Sequence, residues 1–168
     1  MVSYKNGITI TVESNKFQVA KSPPTPNMRE SEVPRCASRY IETLPHVLYK
    51  AVGINFGAIL EDSDPSRRLI DKFLAQGVWN SEDLLVKELS LRFVYSLEGG
   101  TLNLSCDPGS VTDNTSNRTI KGIVLGANYH FDLPGGNPVK EAVDTLKKFT
   151  NLSDRFEWVI KRIFETEE

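Results

Sequence analysis

Cysteine and histidine are scarce in this chain of 168 residues, which has two of each. Neither Cys36 nor Cys106 belongs to a Cys-x-x-Cys pair or a Cys/His cluster, so the ligand spacing of a structural zinc site is missing. Both cysteines are expected to be unlinked, partly buried thiols. Long apolar runs are missing too, so no segment reads as a membrane span. The N-terminal MVSYKNGITI lacks the basic segment and apolar run of a secretory signal. Charge of one sign is also absent: 20 basic residues stand against 22 acidic ones, a net charge of −2. No global field therefore favours nucleic acid or an anionic membrane.

The common chemical signatures are absent as well. There is no G-x-x-x-x-G-K-[ST] phosphate loop, no G-x-S-x-G elbow and no H-E-x-x-H. GGNPVK, near residue 135, has the wrong spacing for a dinucleotide fingerprint. No cofactor is expected. The Asn-x-Ser/Thr triplets at Asn103, Asn114, Asn117 and Asn151 would matter only in a secreted chain, and the expected setting is cytoplasmic.

Composition favours a folded domain. Apolar residues make up 39% and charged residues 25%, enough to build a core without the bias of a disordered chain. No linker divides the sequence, so one domain over residues 1–168 is expected.

Period-two alternation is the main structural signal. Ile8, Ile10 and Val12 alternate up to a turn at Ser14-Asn15, which would set Val12 against Phe17 and Ile10 against Val19 on one face. Residues 21–34, with Pro23, Pro24 and Pro26, read as a loop. Pro34 at a helix start, with Ala37, Ile41 and Leu44 at helical spacing, predicts a helix over 34–44 that Pro45 ends.

Residues 47–60 place Leu48, Val52, Ile54, Phe56, Ala58 and Leu60 on one face of a long strand. Gly53 and Gly57 fall on the other, either relieving a bulge or leaving backbone bare for a ligand or partner. Asp64 as N-cap, Pro65 at the first helical position and a terminal Gly77 predict the next helix. A second hairpin turns at Gly99-Gly100, setting Leu97 against Leu102, Tyr95 against Leu104 and Phe93 against Cys106. Residues 107–118 read as a polar loop. The following strand puts Ile123, Leu125, Ala127, Tyr129 and Phe131 on one face. A long C-terminal helix starts at Asn137-Pro138 and is either continuous or broken near Thr150 to Asp154, where cap residues cluster.

The element order β-β-α-β-α-β-β-β-α predicts an α+β protein. Its architecture is expected to be a largely antiparallel sheet of about six strands, covered on one face by helices that include the long C-terminal one.

Three places could carry chemistry. Asn128, His130 and Asp132 project from one side of one strand, with side chains about 7 Å apart by strand geometry, near enough to line a cleft but too far for direct hydrogen bonds. Histidine and carboxylate together suit acid/base or metal-assisted hydrolysis, although polar alternation is what any half-buried strand displays. Glu61, Asp62 and Asp64 are hard oxygen ligands suited to Mg²⁺ or Ca²⁺, although helix capping explains the aspartates equally well. Phe56, Phe93, Tyr95 and Tyr129 would line an apolar cleft between sheet and C-terminal helix, or fill the core. His46 reads as a solvent-facing or capping residue, and Asp107 and Asp113 as turn residues.

The leading expectation is a non-enzymatic protein-interaction module or assembly subunit, its partner another protein or a second copy of the chain. A small-molecule binding domain with that apolar cleft, and a hydrolase or metal-assisted enzyme using His130 and Asp132, are the alternatives. No membrane is implied, and nucleic acid is not indicated.

Overall fold

Alternation of apolar and polar residues sets out the strands of this chain, and the computed structural model describes residues 1–22, 27–79, 84–113 and 117–165. Among them are two antiparallel sheets and four α-helices, an α+β architecture. Strands β1 (Val2–Ser3), β2 (Ile8–Val12) and β3 (Phe17–Lys21) form one sheet in the order β1-β2-β3. Strands β4 (Ala51–Glu61), β5 (Leu91–Leu97), β6 (Gly100–Asp113) and β7 (Arg118–Asp132) form the other, in the order β4-β7-β6-β5. The helices are α1 (Val33–Thr43), α2 (Pro65–Phe73), α3 (Pro138–Leu146) and α4 (Phe149–Phe164), with a 3₁₀ turn at Met28–Glu30.

The expected single sheet of six strands is thus replaced by sheets of three and four. Strand β1 has two residues, too few to show a period, yet it pairs Val2 with Ile10 and Ser3 with Thr9 and completes a sheet around the first hairpin. Alternation identifies a strand but not the sheet it joins.

Two compact units are present: Met1–Ile54 with His130–Glu168, and Asn55–Tyr129. In the first, the hairpin has the expected register, Val12 opposite Phe17 and Ile10 opposite Val19. Helix α1 carries Pro34 in its first turn, buries Ala37 and Ile41, and stacks Tyr40 on Phe17 with ring centroids 3.8 Å apart. It stops before Pro45, as a residue preceding proline disfavours helix. Of the proline loop, residues 23–26 lie outside the described residues.

Strand β4 begins at Ala51 rather than residue 47, and Leu48 is 79% exposed. The Val47 and Tyr49 amides donate locally, to the carbonyls of Leu44 and Val47, so these backbone groups form a turn instead of a ladder.

The C-terminal helix is two helices, and the break falls at Lys147-Lys148 rather than within 150–154. Lys148 N–H bonds the Thr145 carbonyl three residues back, which tightens the last turn of α3. The polar residues at 150–154 serve other ends. Ser153 is buried in α4, and Asp154 accepts a two-pronged bond from Arg29 at 3.3 and 2.9 Å.

The start of α3 matches expectation, with Asn137 accepting from Lys140 N–H at 3.0 Å. Glu141 adds to this by accepting from the backbone N–H groups of Asn137, Gly136 and Gly135 at 3.0, 3.1 and 3.2 Å. These bonds hold its carboxyl below the ordinary value of 4.5.

In the second unit, Asp64 caps α2 by accepting from Arg67 N–H at 3.1 Å. The helix ends at Phe73, with Leu74 already extended, so Gly77 is not its cap. The β5–β6 turn is Glu98-Gly99, one residue earlier than Gly99-Gly100. Leu97 therefore faces Gly100, Tyr95 faces Leu102, Phe93 faces Leu104 and Leu91 faces Cys106. The turn needs positive φ at one position, which Gly99 supplies at +73°, while Gly100 opens the return strand. Because the slip is two residues, the apolar parity survives.

The predicted polar loop at 107–118 is largely strand, since β6 runs on to Asp113 and β7 begins at Arg118; residues 114–116 lie outside the described ones. Asp107 is therefore a strand residue rather than a turn residue, and Asp113 is the last of β6. β5 pairs no further than Cys106, so Pro108 sits where that side of β6 needs no donor from it. Ile123, Leu125, Ala127 and Tyr129 are buried along β7 with Phe56, Leu69, Leu102, Leu104 and Cys106 as the core of this unit.

Gly122 marks a close approach of two strands. A Cβ there would collide with the Leu60 carbonyl oxygen and lie 2.8 Å from its carbon, whereas at Gly57 it would meet Leu125 O at an ordinary 3.8 Å. Gly122→Ala is expected to cost about 2–3 kcal/mol and Gly57→Ala less than about 0.5 kcal/mol, read as urea unfolding midpoints of the full chain. For Glu141, a lowered folded pKa means stability that is present above the unfolded value and lost as pH falls through the folded one. Glu141→Gln should therefore unfold at lower temperature than wild type near about pH 7, with the gap closing as pH falls below the ordinary value of 4.5 and through the folded one. An unchanged gap at acid pH would show that the charge is not what holds this cap.

Candidate functional site

The polar face of the four-stranded sheet assembles side chains that are far apart in the sequence. Strand alternation sends Phe56, Leu104 and Ala127 inward and leaves Asn55, Asn103, Ser105, Gly126 and Asn128 on the other side. Arg92 lies opposite Ser105 in the β5–β6 register and so shares that side. Two hydrogen bonds organise the band: Asn128 Nδ2 donates to Asn55 Oδ1 at 2.7 Å, and Arg92 Nη2 donates to Asn103 Oδ1 at 2.9 Å. Between them Gly126 keeps the floor low, since a Cβ there would lie 3.0 Å from Ser105 Oγ. The result is an open depression of about 350 Å³. Carboxamides offer donors and acceptors, and Arg92 adds a fixed positive charge.

Beyond Arg92 the band reaches the rim of the sheet. β5 is its terminal strand, and none of its seven residues is fully buried. Val94 is 64% and Tyr95 40% exposed, while Phe93 is half-buried against Phe73 of α2 at 5.9 Å. The outer edge of such a strand carries backbone N–H and C=O groups that a further strand could pair with.

The residues singled out from the sequence fall into separate places. Asn128 belongs to the polar band. His130 Nε2 lies 3.2 Å from Asp132 Oδ1, closer than strand spacing implied, because side chains two apart lean along the strand. The pair is open to water, the side chains 46% and 87% exposed.

Phe56 and Tyr129 are core residues, 5% and 0% exposed, in edge-to-face contact at 5.9 Å. Tyr95 stacks against Phe93 at 6.2 Å on the terminal strand.

The carboxylates are engaged locally. Asp62 accepts from Asp64 N–H at 2.8 Å and from Arg68 at 3.0 Å, Asp64 caps α2, and Glu61 meets Arg118 at 3.4 Å. Among the described residues, no three His, Cys, Asp or Glu side chains are grouped to hold a metal ion.

Cys36 and Cys106 are both free. Burial, with the Asp107 carboxylate beside it, pushes the Cys106 thiol up to about 11. No described helix is long and apolar enough to cross a membrane.

Asn55 and Gly126 carry no motif, Asn103 and Ser105 stand out only as an Asn-x-Ser triplet, and alternation does not single out any of the four. The usable signal is parity within β5, which turns Arg92 to the face opposite Phe93 and Tyr95. Bringing Arg92 together with Asn55 and Asn128 needs the strand order. No family model, curated protein or solved structure matches the chain.

Asp62→Ala removes both of its bonds and should cost about 1–2 kcal/mol in urea unfolding, while His130→Ala should stay within about 0.5 kcal/mol of wild type. Added Mg²⁺ or Ca²⁺ should leave the melting temperature of the wild-type chain unmoved. A saturable rise would make the carboxylate cluster a cation site.

Proposed function

We propose that the protein is a non-enzymatic interaction module that takes an extended segment of a partner protein onto the outer edge of β5. The single observation behind this reading is a terminal strand of seven residues with none fully buried and Val94 and Tyr95 exposed. Edge strands are ordinarily blunted with charged side chains, proline or a bulge, and the strand sequence LRFVYSL has no proline and a single charge, Arg92, whose guanidinium is turned onto Asn103 of the neighbouring strand. An added strand gains affinity from main-chain hydrogen bonds and specificity from alternate side-chain contacts. Here one row would meet Arg92, Val94 and the polar band, and the other Phe93 and Tyr95.

The solvated His130–Asp132 pair supports binding over catalysis, because a general acid or base works best where water is shielded from it. Two free thiols fit a reducing cytoplasm.

The test is a random-peptide display library panned against the full chain, alongside a variant carrying Val94→Lys and Ser96→Lys. Both positions are exposed, so the variant should fold. Peptides with alternating apolar residues should be enriched and bind the variant at least about tenfold more weakly, since charge on an edge opposes strand addition. Failure to enrich any peptide, or equal binding by both proteins, would sink the proposal.

A further inference from the structure

A cleft of about 500 Å³ lies in the first unit, between the sheet β1-β2-β3 and helix α1. Ile8 and Ile10 of β2 and Tyr40 and Leu44 from the helical side give it an apolar lining, and Cys36 also opens onto it. The volume falls within the range of about 300–1,000 Å³ seen for small-ligand sites.

Charge is what selects an occupant. Arg39 is the one formally charged residue in the lining, and no carboxylate lines the cleft. Glu32, from the turn before α1, is already engaged: one oxygen takes Arg35 at 2.6 Å and the other takes Asn6 at 2.9 Å. Arg29 is likewise tied to Asp154 at 2.9 Å. Arg39, by contrast, has no ion pair among the described residues. A planar guanidinium beside an apolar cleft matches a carboxylate head whose tail seeks burial.

We propose that this cleft binds a small amphiphile with one carboxylate group and an apolar tail, of the medium-chain fatty-acid class. Arg39 receives the head while Ile8, Ile10, Tyr40 and Leu44 cover the tail. The site stands on its own and does not depend on strand addition at β5.

Cys36 gives a direct readout, because it opens onto the cleft whereas Cys106 is 0% exposed. The full chain is labelled with a thiol-reactive maleimide, and modification of each cysteine is followed by mass spectrometry. Decanoate below its micelle concentration is the probe, and decyl alcohol and decyltrimethylammonium are its neutral and cationic counterparts. Decanoate should slow Cys36 labelling saturably and by at least about fivefold, and the cationic analogue should not. Arg39→Gln, at an exposed helix position, should raise the half-protecting concentration about tenfold, and Arg39→Lys should recover part of that loss. The proposal is overturned if decanoate gives no protection, if all three probes protect equally, or if Arg39→Gln behaves as wild type. It also fails if Cys106 becomes reactive with decanoate, which would signal unfolding instead of binding.

Discussion

Strand β7 is where the constraints of the four-stranded sheet meet. It lies between β4 and β6, so both of its backbone edges are paired, and its alternate side chains Ile123, Leu125, Ala127 and Tyr129 are buried. A one-residue slip would turn that row to water and bring Gly126 and Asn128 inward. At roughly 1.5–3 kcal/mol for each large apolar side chain buried, such a slip is prohibitive. The same alternation that fills the core therefore dictates that Gly126 and Asn128 face outward. Gly122 adds a steric requirement, since no larger residue fits beside the Leu60 carbonyl.

Several polar side chains in this protein close helices and turns. Asp64, Asn137 and Glu141 satisfy backbone donors at helix starts, where four N–H groups would otherwise lack partners. Asp62 accepts from the backbone of Asp64 and the side chain of Arg68 together. These uses explain why Asp62 and Asp64 belong to the start of α2. They also set the polar band apart, because Asn55, Asn103, Arg92 and Asn128 bond one another across strands and cap nothing.

Alternation and capping were legible because each depends on residues close in sequence. The first hairpin has its expected register, β7 buries the expected row, α2 and α3 start where proline and a capping side chain indicate, and α1 starts one residue ahead of Pro34 without a side-chain cap. Errors arose where two local solutions were nearly equal. Gly99 and Gly100 could each have supplied the turn, and only the actual pairing of Leu97 with Gly100 decides between them. The polar stretch after Cys106 has turn-forming residues, yet pairing with β7 draws it into a strand. The residues at 150–154 could end a helix, but Asp154 is held by Arg29, 125 positions away.

By itself, then, the sequence determined the α+β class, the strands with a buried face and the beginnings of the helices, since periodicity and capping act within a few residues. The division into sheets of three and four strands, and the order β4-β7-β6-β5, were decided only by tertiary structure. So was the convergence of Arg92, Asn103 and Asn128, which lie on three different strands. An isolated strand does not encode its neighbour: backbone hydrogen bonding is the same for every residue except proline, so the choice of partner rests on packing between distant segments.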